Sequence, residues 1–409
     1  MEHRMEIEEC LEKILEHTVP TMKTEWVLLE ECEGRICSEE ITAKSMVPPF
    51  TKSAMDGYAV RAKDVEGATG GKPVELSVVG ELFAGDYQEF SGRKNTAVRV
   101  MTGSYVPKGY DAVIRQEDTD YGVEQVAIYK GVAPFTNYCQ VGEDIKKGDV
   151  VIKADTRLTP LHIGMLASLG IWRVKCYVPA KVAIISTGTE LVKAGEKLPK
   201  GKIYSSISYF LAAAIRRQGL LVTECDLCPD EEAVLTKKLQ QALKKADIIL
   251  TTGAVSVGKK DIIPAVLKGM GAEILFSRAN IQPGTPTIGS VLEGKVILSL
   301  SGNPFAAMAN FEWYFWPVMA KWMHSDTFFA ATDMVRLASP YPKINKARRM
   351  IRAYSDGREV TLPSTVHASS VLSNMVDCNC FIDLEPGRAV RTGDRVRIRD
   401  FKGTYVTGI

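Results

Sequence analysis

The sequence contains no uninterrupted apolar run approaching the roughly 18 residues of a membrane-spanning helix, and no Lys/Arg-rich run. Its 51 basic and 49 acidic residues leave a formal net charge of only +2, which argues against a nucleic-acid partner. The five histidines are dispersed, so they suggest no shared metal centre. The nine cysteines are odd in number and scattered, which excludes a disulfide framework and implies reduced thiols. Cys225 and Cys228 form a CxxC and Cys378 and Cys380 a CxC, but no second CxxC supplies the four ligands of a structural zinc site. Both pairs therefore read as buried or incidental thiols. The opening MEHRMEIEECLEKILEHT is rich in acids and no apolar h-region follows, so it is not a signal peptide and the cytoplasm is the expected location.

Apolar residues make up 45% and charged residues 24% of the 409, the balance of an ordinary globular protein of several domains. Ile7, Leu11, Ile14 and Leu15 fall on one face of a helix. Residues 46–143 carry short β-type runs punctuated by Gly and Pro, a pattern that predicts an inserted β module. In 144–177, Thr159 and Pro160 have the chemistry of an N-cap and a first helical position. This segment is expected to pack back on the N-terminal helix, making 1–45 plus 144–177 one discontinuous domain. From 178 to 325, strand-like KVAIIST, LLVTECDL and DIILTTG alternate with helical segments and end on a long helix, PFAAMANFEWYFWPVMAKWM. The expected fold is a doubly wound βαβ domain, followed by a small β domain over 326–409.

In a doubly wound sheet, ligands bind beyond the carboxyl ends of the strands. The segments STGTEL, TTGAVSVGKKD and SLSGNPF leave strand ends carrying Gly and hydroxyl residues, which suits a phosphate-bearing ligand. None matches the P-loop or the GxGxxG fingerprint. Glu190 and Asp261 lie in these loops, and Asp56 lies in PPFTKSAMDGYAV after two prolines. Separated carboxylates can converge on Mg²⁺, although an isolated loop acid more often faces solvent or caps a helix, as Asp261 would for IIPAVLKG.

The motifs SAMDGYAV, MTGSYVPKGYDAVIRQED, GEDIKKGD, STGTEL, TTGAVSVGKKD and SGNP, and the Ser-rich VHASSVLSNMVDCNCFIDLEPG, run in this order along essentially the whole chain. The series resembles the molybdopterin molybdenumtransferases, the family that includes the E domain of gephyrin. The resemblance implies a molybdopterin-binding α/β domain and a homodimer, with its active cleft between the α/β domain of one subunit and the β module of the other. It implies insertion of molybdate into adenylylated molybdopterin with release of AMP, assisted by Mg²⁺. It also implies a pterin substrate and contact with other cofactor-biosynthesis proteins. Asp56, Glu190 and Asp261 match the catalytic and metal-binding acids. Thr102, Thr187, Gly188, Gly253, Ser256, Gly258, Gly302, Asn303, Pro304 and Ser369 match the cofactor-binding positions.

The sequence departs from the family pattern where an oxyanion would be held. Gln282-Pro283-Gly284-Thr285-Pro286 stands for a basic-Pro-Gly-Lys-Pro motif, and Ser205-Ser206-Ile207 for Asp-Ser/Thr-Asn. Cys139-Gln140 stands for an Arg pair, and Ala306 for a serine. Charge-assisted bonds from Lys or Arg are the natural holders of a doubly charged anion. Lys259, Lys260 and Arg278 are candidate substitutes. A second reading is therefore a diverged, non-catalytic relative that binds a pterin or nucleotide.

Overall fold

The computed structural model describes residues 4–255, 262–364 and 368–402. Between Lys181 and Leu300 a six-stranded sheet runs in the order Leu221–Cys228, Lys181–Thr187, Ile248–Thr252, Lys295–Leu300, Pro286–Leu292, Glu273–Arg278. Its first four strands are parallel, as expected of a doubly wound domain, and the last two join antiparallel. Both faces are covered, and the period-2 geometry of a strand shows why these runs are apolar throughout. Val182, Ile184, Leu250 and Leu298 pack on one side with the helix Ile207–Arg217. Ala183, Ile185, Ile249 and Ile297 pack on the other with Glu232–Lys245 and Ile263–Gly269.

The long terminal helix of this domain is not uniform. Pro304–Asn310 and Trp316–Trp322 are α-helical, and a π-helical turn, Phe311–Phe315, lies between them. Every residue of that turn is buried, and Phe311 stacks on Phe315 with ring centroids 4.7 Å apart.

The first helix, Ile7–Glu16, buries Ile7, Cys10 and Ile14. Its packing corrects the expectation drawn for 144–177. The helix sits in the same core as Phe276, Trp313 and Met319 of the α/β domain. Its amphipathic stripe is met by apolar side chains of that domain, and 144–177 pairs elsewhere. Thr24–Leu28 pairs with Arg173–Tyr177, and Ile41–Thr42 with Val150–Ile152. Thr159 caps the helix Pro160–Ser168 in a capping box with His162.

Residues 57–128 form a five-stranded sheet, ordered Ala112–Arg115, Gly57–Val60, Thr96–Val100, Val74–Leu82, Gln125–Ile128. Gly57 is required by close approach, because a Cβ there would come within 1.8 Å of the Ile114 carbonyl oxygen. The C-terminal sheet runs Ile281–Gln282, Arg348–Ser355, Glu359–Thr361, Thr332–Leu337, Arg395–Asp400, Cys380–Leu384, and it closes through pairing of Arg348–Ser355 with Cys380–Leu384. Its first strand comes from the α/β segment, so Gln282 lies in register with Arg349.

All nine cysteines are free, and Cys139 and Cys225 are the two that are not fully buried. Burial pushes the thiols of Cys10 and Cys176 up to about 12 and that of Cys228 to about 11. No described helix is long and apolar enough to cross a membrane.

Candidate functional site

The parallel strands Lys181–Thr187, Ile248–Thr252 and Lys295–Leu300 are adjacent, so the three Gly/hydroxyl loops leave the same sheet edge. They meet around a cavity of about 520 Å³. It is lined by Thr187, Gly188, Glu190, Gly253, Gly302, Asn303, Pro304 and Ser369, which brings these positions chosen from sequence together. Ser205, Ile207 and Ala306, three of the departures, line it too, as does Ser206.

Hydrogen bonds fix the floor. Thr187 Oγ1 donates to the Thr252 carbonyl at 2.9 Å, and Thr252 Oγ1 to Ser186 Oγ at 2.8 Å. Gly253, at φ +83°, lies so close to its neighbour that a Cβ would come within 2.2 Å of the Thr187 carbonyl oxygen. The Glu190 carboxylate folds over Gly188, where an added Cβ would meet its Oε1 at 2.8 Å. The Glu190 carbonyl accepts from the Ile203 amide at 2.9 Å, tying this loop to the strand Ile203–Tyr204.

One lining acid was missed by the reading of the sequence. Asp230 follows the edge strand Leu221–Cys228 and accepts from both the amide and the hydroxyl of Thr189, each at 3.1 Å. The signal was available, since LLVTECDL reads as another strand of the same series and its end belongs at the same edge.

The opposite wall comes from two other places. Pro283, Gly284 and Pro286 line the cavity, whereas Gln282 and Thr285 do not. Thr285 Oγ1 instead donates to the Ile281 carbonyl at 2.6 Å. Gly284, at φ +105°, lies over the buried Asn310, whose Nδ2 donates to its carbonyl at 3.1 Å. Ser369 is placed by the Phe305 amide, which donates to its carbonyl at 3.0 Å. Arg352, fully buried and stacked 3.8 Å from the Phe305 ring, donates to the carbonyls of Ala368 and Val371 on either side. Burial pulls the Arg352 guanidinium below its ordinary range.

Asp56 and Thr102 are brought to each other but not to this cavity. Asp56 Oδ1 accepts from the Thr102 amide at 2.7 Å and from its hydroxyl at 2.8 Å. These two bonds, the backbone one first, hold the Asp56 carboxyl below the usual carboxylate range. Neither residue lines the cavity formed by its own chain. Ser256, Gly258, Lys259, Lys260 and Asp261 lie outside the described residues. No cluster of three or more His, Cys, Asp or Glu suited to a metal ion occurs among the described residues. The described lining has two carboxylates, Glu190 and Asp230, and no Lys or Arg.

Known proteins give this architecture a family. Residues 5–170 match the MoeA N-terminal region (domain I and II), 183–321 a probable molybdopterin binding domain, and 334–401 the MoeA C-terminal region (domain IV). The molybdopterin molybdenumtransferase of Haemophilus influenzae is 35% identical over 403 residues, covering 97% of this chain and 98% of its own. The chain belongs to the molybdopterin molybdenumtransferase family. The Bacillus subtilis relative of the same name is 33% identical over 384 residues, covering 92% of this chain and 89% of its own. Among solved structures, a molybdopterin biosynthesis MoeA protein from Pyrococcus horikoshii superimposes with a TM-score of 0.86. It is 29% identical and covers 98% of this chain and 100% of its own. The α/β domain at the centre of the fold is thus the part matched as molybdopterin-binding, and the cavity lies at its strand ends.

Proposed function

We propose that this molybdenum cofactor-biosynthesis enzyme inserts molybdate into adenylylated molybdopterin in the cavity at the sheet edge, releasing AMP. The observation that carries this reading is the convergence of Thr187, Gly188, Glu190, Gly253, Asn303 and Ser369 on one cavity of about 520 Å³. That volume falls in the range of small-molecule sites, roughly 300–1,000 Å³. Hydroxyls and close-approach glycines bring donors to a phosphate-bearing ligand. Glu190 offers an oxygen ligand of the kind Mg²⁺ takes, and the ion would screen the phosphate charge from the carboxylates. Asp261 belongs to the same proposed set.

A site built for this substrate is incomplete in one protomer, because Asp56 and Thr102 do not line the cavity of their own chain. We assign them to the partner's cleft in a homodimer. Contact with other cofactor-biosynthesis proteins, and location in the cytoplasm, are further parts of this reading. The proposed domains are 1–45 with 144–177, apart from the helix Ile7–Glu16 that packs on the α/β domain, then 46–143, 178–325 and 326–409.

One observation favours the second, non-catalytic reading: the described lining holds no cation. Reconstitution separates the two. Purified protein given adenylylated molybdopterin, Mg²⁺ and molybdate is expected to release AMP; binding without AMP release would overturn the enzymatic reading. Gln282 and Thr285 flank the lining residues Pro283 and Gly284, and in Gln282→Lys with Thr285→Lys each longer side chain whose ammonium reaches the cavity adds about 1.5–3 kcal/mol toward a charged acceptor. The double variant is expected to bind molybdate roughly two to four orders of magnitude more tightly, less solvent screening, since each 1.4 kcal/mol is tenfold. Equal molybdate-dependent thermal stabilisation of parent and variant would show that other groups already hold the anion.

A further inference from the structure

A second cavity lies at the opposite edge of the parallel sheet. Lys181 opens the strand whose last residue, Thr187, lines the proposed active cavity. At about 3.3 Å per residue, roughly 20 Å separates the two ends. This cavity, of about 150 Å³, is lined by Lys23, Lys181, Lys244, Lys245 and Lys295, together with Asp247 and Trp322. The lysines come from separate places in the chain: the segment after the first helix, a strand start, the end of the helix Glu232–Lys245, and another strand start. Their convergence is therefore a product of the fold and not of a basic run.

Part of the charge has a structural use. Lys295 Nζ donates to the carbonyls of Leu243 and Ala246, at the end of the helix Glu232–Lys245, where a cation also complements the helix dipole. Lys245 pairs with Glu224. Asp247, the cavity's single acid, accepts from the Lys181 amide at 2.9 Å through Oδ2. Among the described residues, no hydrogen bond or ion pair engages the ammonium of Lys23, Lys181 or Lys244. Crediting Asp247 against one of them and the helix end, about half a negative charge, against another still leaves more than one positive charge without a partner. In a chain that is nearly neutral overall, such a concavity concentrates positive potential and draws anions.

We propose that this cavity is a second anion site, independent of the active cleft, that takes a phosphoryl or diphosphoryl group. Its volume is less than a third of the active cavity's, which suits one or two phosphoryl groups and not a nucleoside. Lysine ammoniums act on such a group as point charges with rotatable donors.

The test is calorimetric titration of the full-length protein with inorganic diphosphate at fixed ionic strength. The parent is expected to show saturable binding that weakens at least tenfold in Lys23→Ala/Lys181→Ala/Lys244→Ala. All three side chains are exposed, so the variant should keep its fold. A charge-matched control, Lys146→Ala/Lys147→Ala/Lys153→Ala, removes exposed lysines elsewhere and is expected to bind as the parent does. No saturable binding by the parent overturns the proposal, and so does retention within threefold in the first variant, which would place diphosphate in the active cavity. An equal loss in the control, the mark of diffuse charge, also overturns it. None of these outcomes depends on molybdenum insertion.

Discussion

Asp56 shows how a residue legible in sequence acquires its chemistry from a neighbour that is distant along the chain. Both hydrogen bonds from Thr102 favour the ionised carboxylate, and its pKa falls accordingly. The sign follows directly. With the folded pKa depressed, the stabilising contribution is present above the ordinary carboxylate range and is lost as pH falls through the folded pKa. Thr102→Val removes the hydroxyl donor and keeps the amide. In a carboxyl-carbon NMR titration the Asp56 pKa is expected to rise part of the way back toward its ordinary value. An unmoved pKa would show that the hydroxyl bond contributes nothing to the carboxylate. Glu190 stands out in the sequence because its loop carries Gly and hydroxyl residues at a strand end, Asp56 by its place beside Gly57 after two prolines, and Thr102 only through the family resemblance. Asp230 is passed over because its strand end carries neither Gly nor hydroxyl residues, although LLVTECDL reads as a strand of the same series and the sheet order brings its end to the same cavity.

At the level of elements, the sequence announced its strands wherever both faces are buried, as in KVAIIST and DIILTTG, and its caps wherever the residue chemistry is local, as at Thr159 and Pro160. It did not announce the antiparallel direction at the far edge: Glu273–Arg278 reads as a strand, but only Phe276 of it is fully buried, and Pro286–Leu292, which opens on a proline and carries a mid-strand glycine, does not read as a strand at all. Nor did it announce the π-turn at Phe311–Phe315, all of whose residues are buried in the core. The loop after Ile248–Thr252 tests how tightly these strand ends are joined. Gly253 and Gly195 both hold positive φ, +83° and +91°, but only Gly253 has a backbone oxygen in the way of a Cβ. A non-glycine residue in this region costs about 1–2 kcal/mol on backbone grounds alone. Gly253→Ala is expected to lower the urea unfolding free energy by at least about 1 kcal/mol more than Gly195→Ala, because overpacking typically adds 1–3 kcal/mol. Equal losses in the two variants would show that the contact between the strand ends relaxes without cost.

At the scale of the molecule, the site is assembled by contacts that no local pattern encodes. The two-residue strand Ile281–Gln282 enters the C-terminal sheet beside Arg348 and Arg349, and that sheet returns Arg352 and the segment carrying Ser369 to the helix Pro304–Asn310. Arg348 pairs with the buried Asp383 and reaches Glu8, tying the C-terminal sheet to the first helix, and both contribute side chains to the core of the α/β domain. The same logic would extend to the proposed homodimer, since Asp56 of the β module does not line the cavity of its own chain. If each cleft takes Glu190 from one protomer and Asp56 from the other, Asp56→Ala and Glu190→Ala homodimers are both inactive. A heterodimer of the two variants has one cleft with both defects and one with neither. Coexpression with different affinity tags and purification through both tags isolates that species. In an isologous two-fold dimer it is expected to regain about half the parental activity, one intact cleft of two. A heterodimer as inactive as either homodimer would mean that the two acids serve within one protomer. No protein retained through both tags, with light scattering showing only monomers in each singly tagged preparation, would remove the shared cleft altogether.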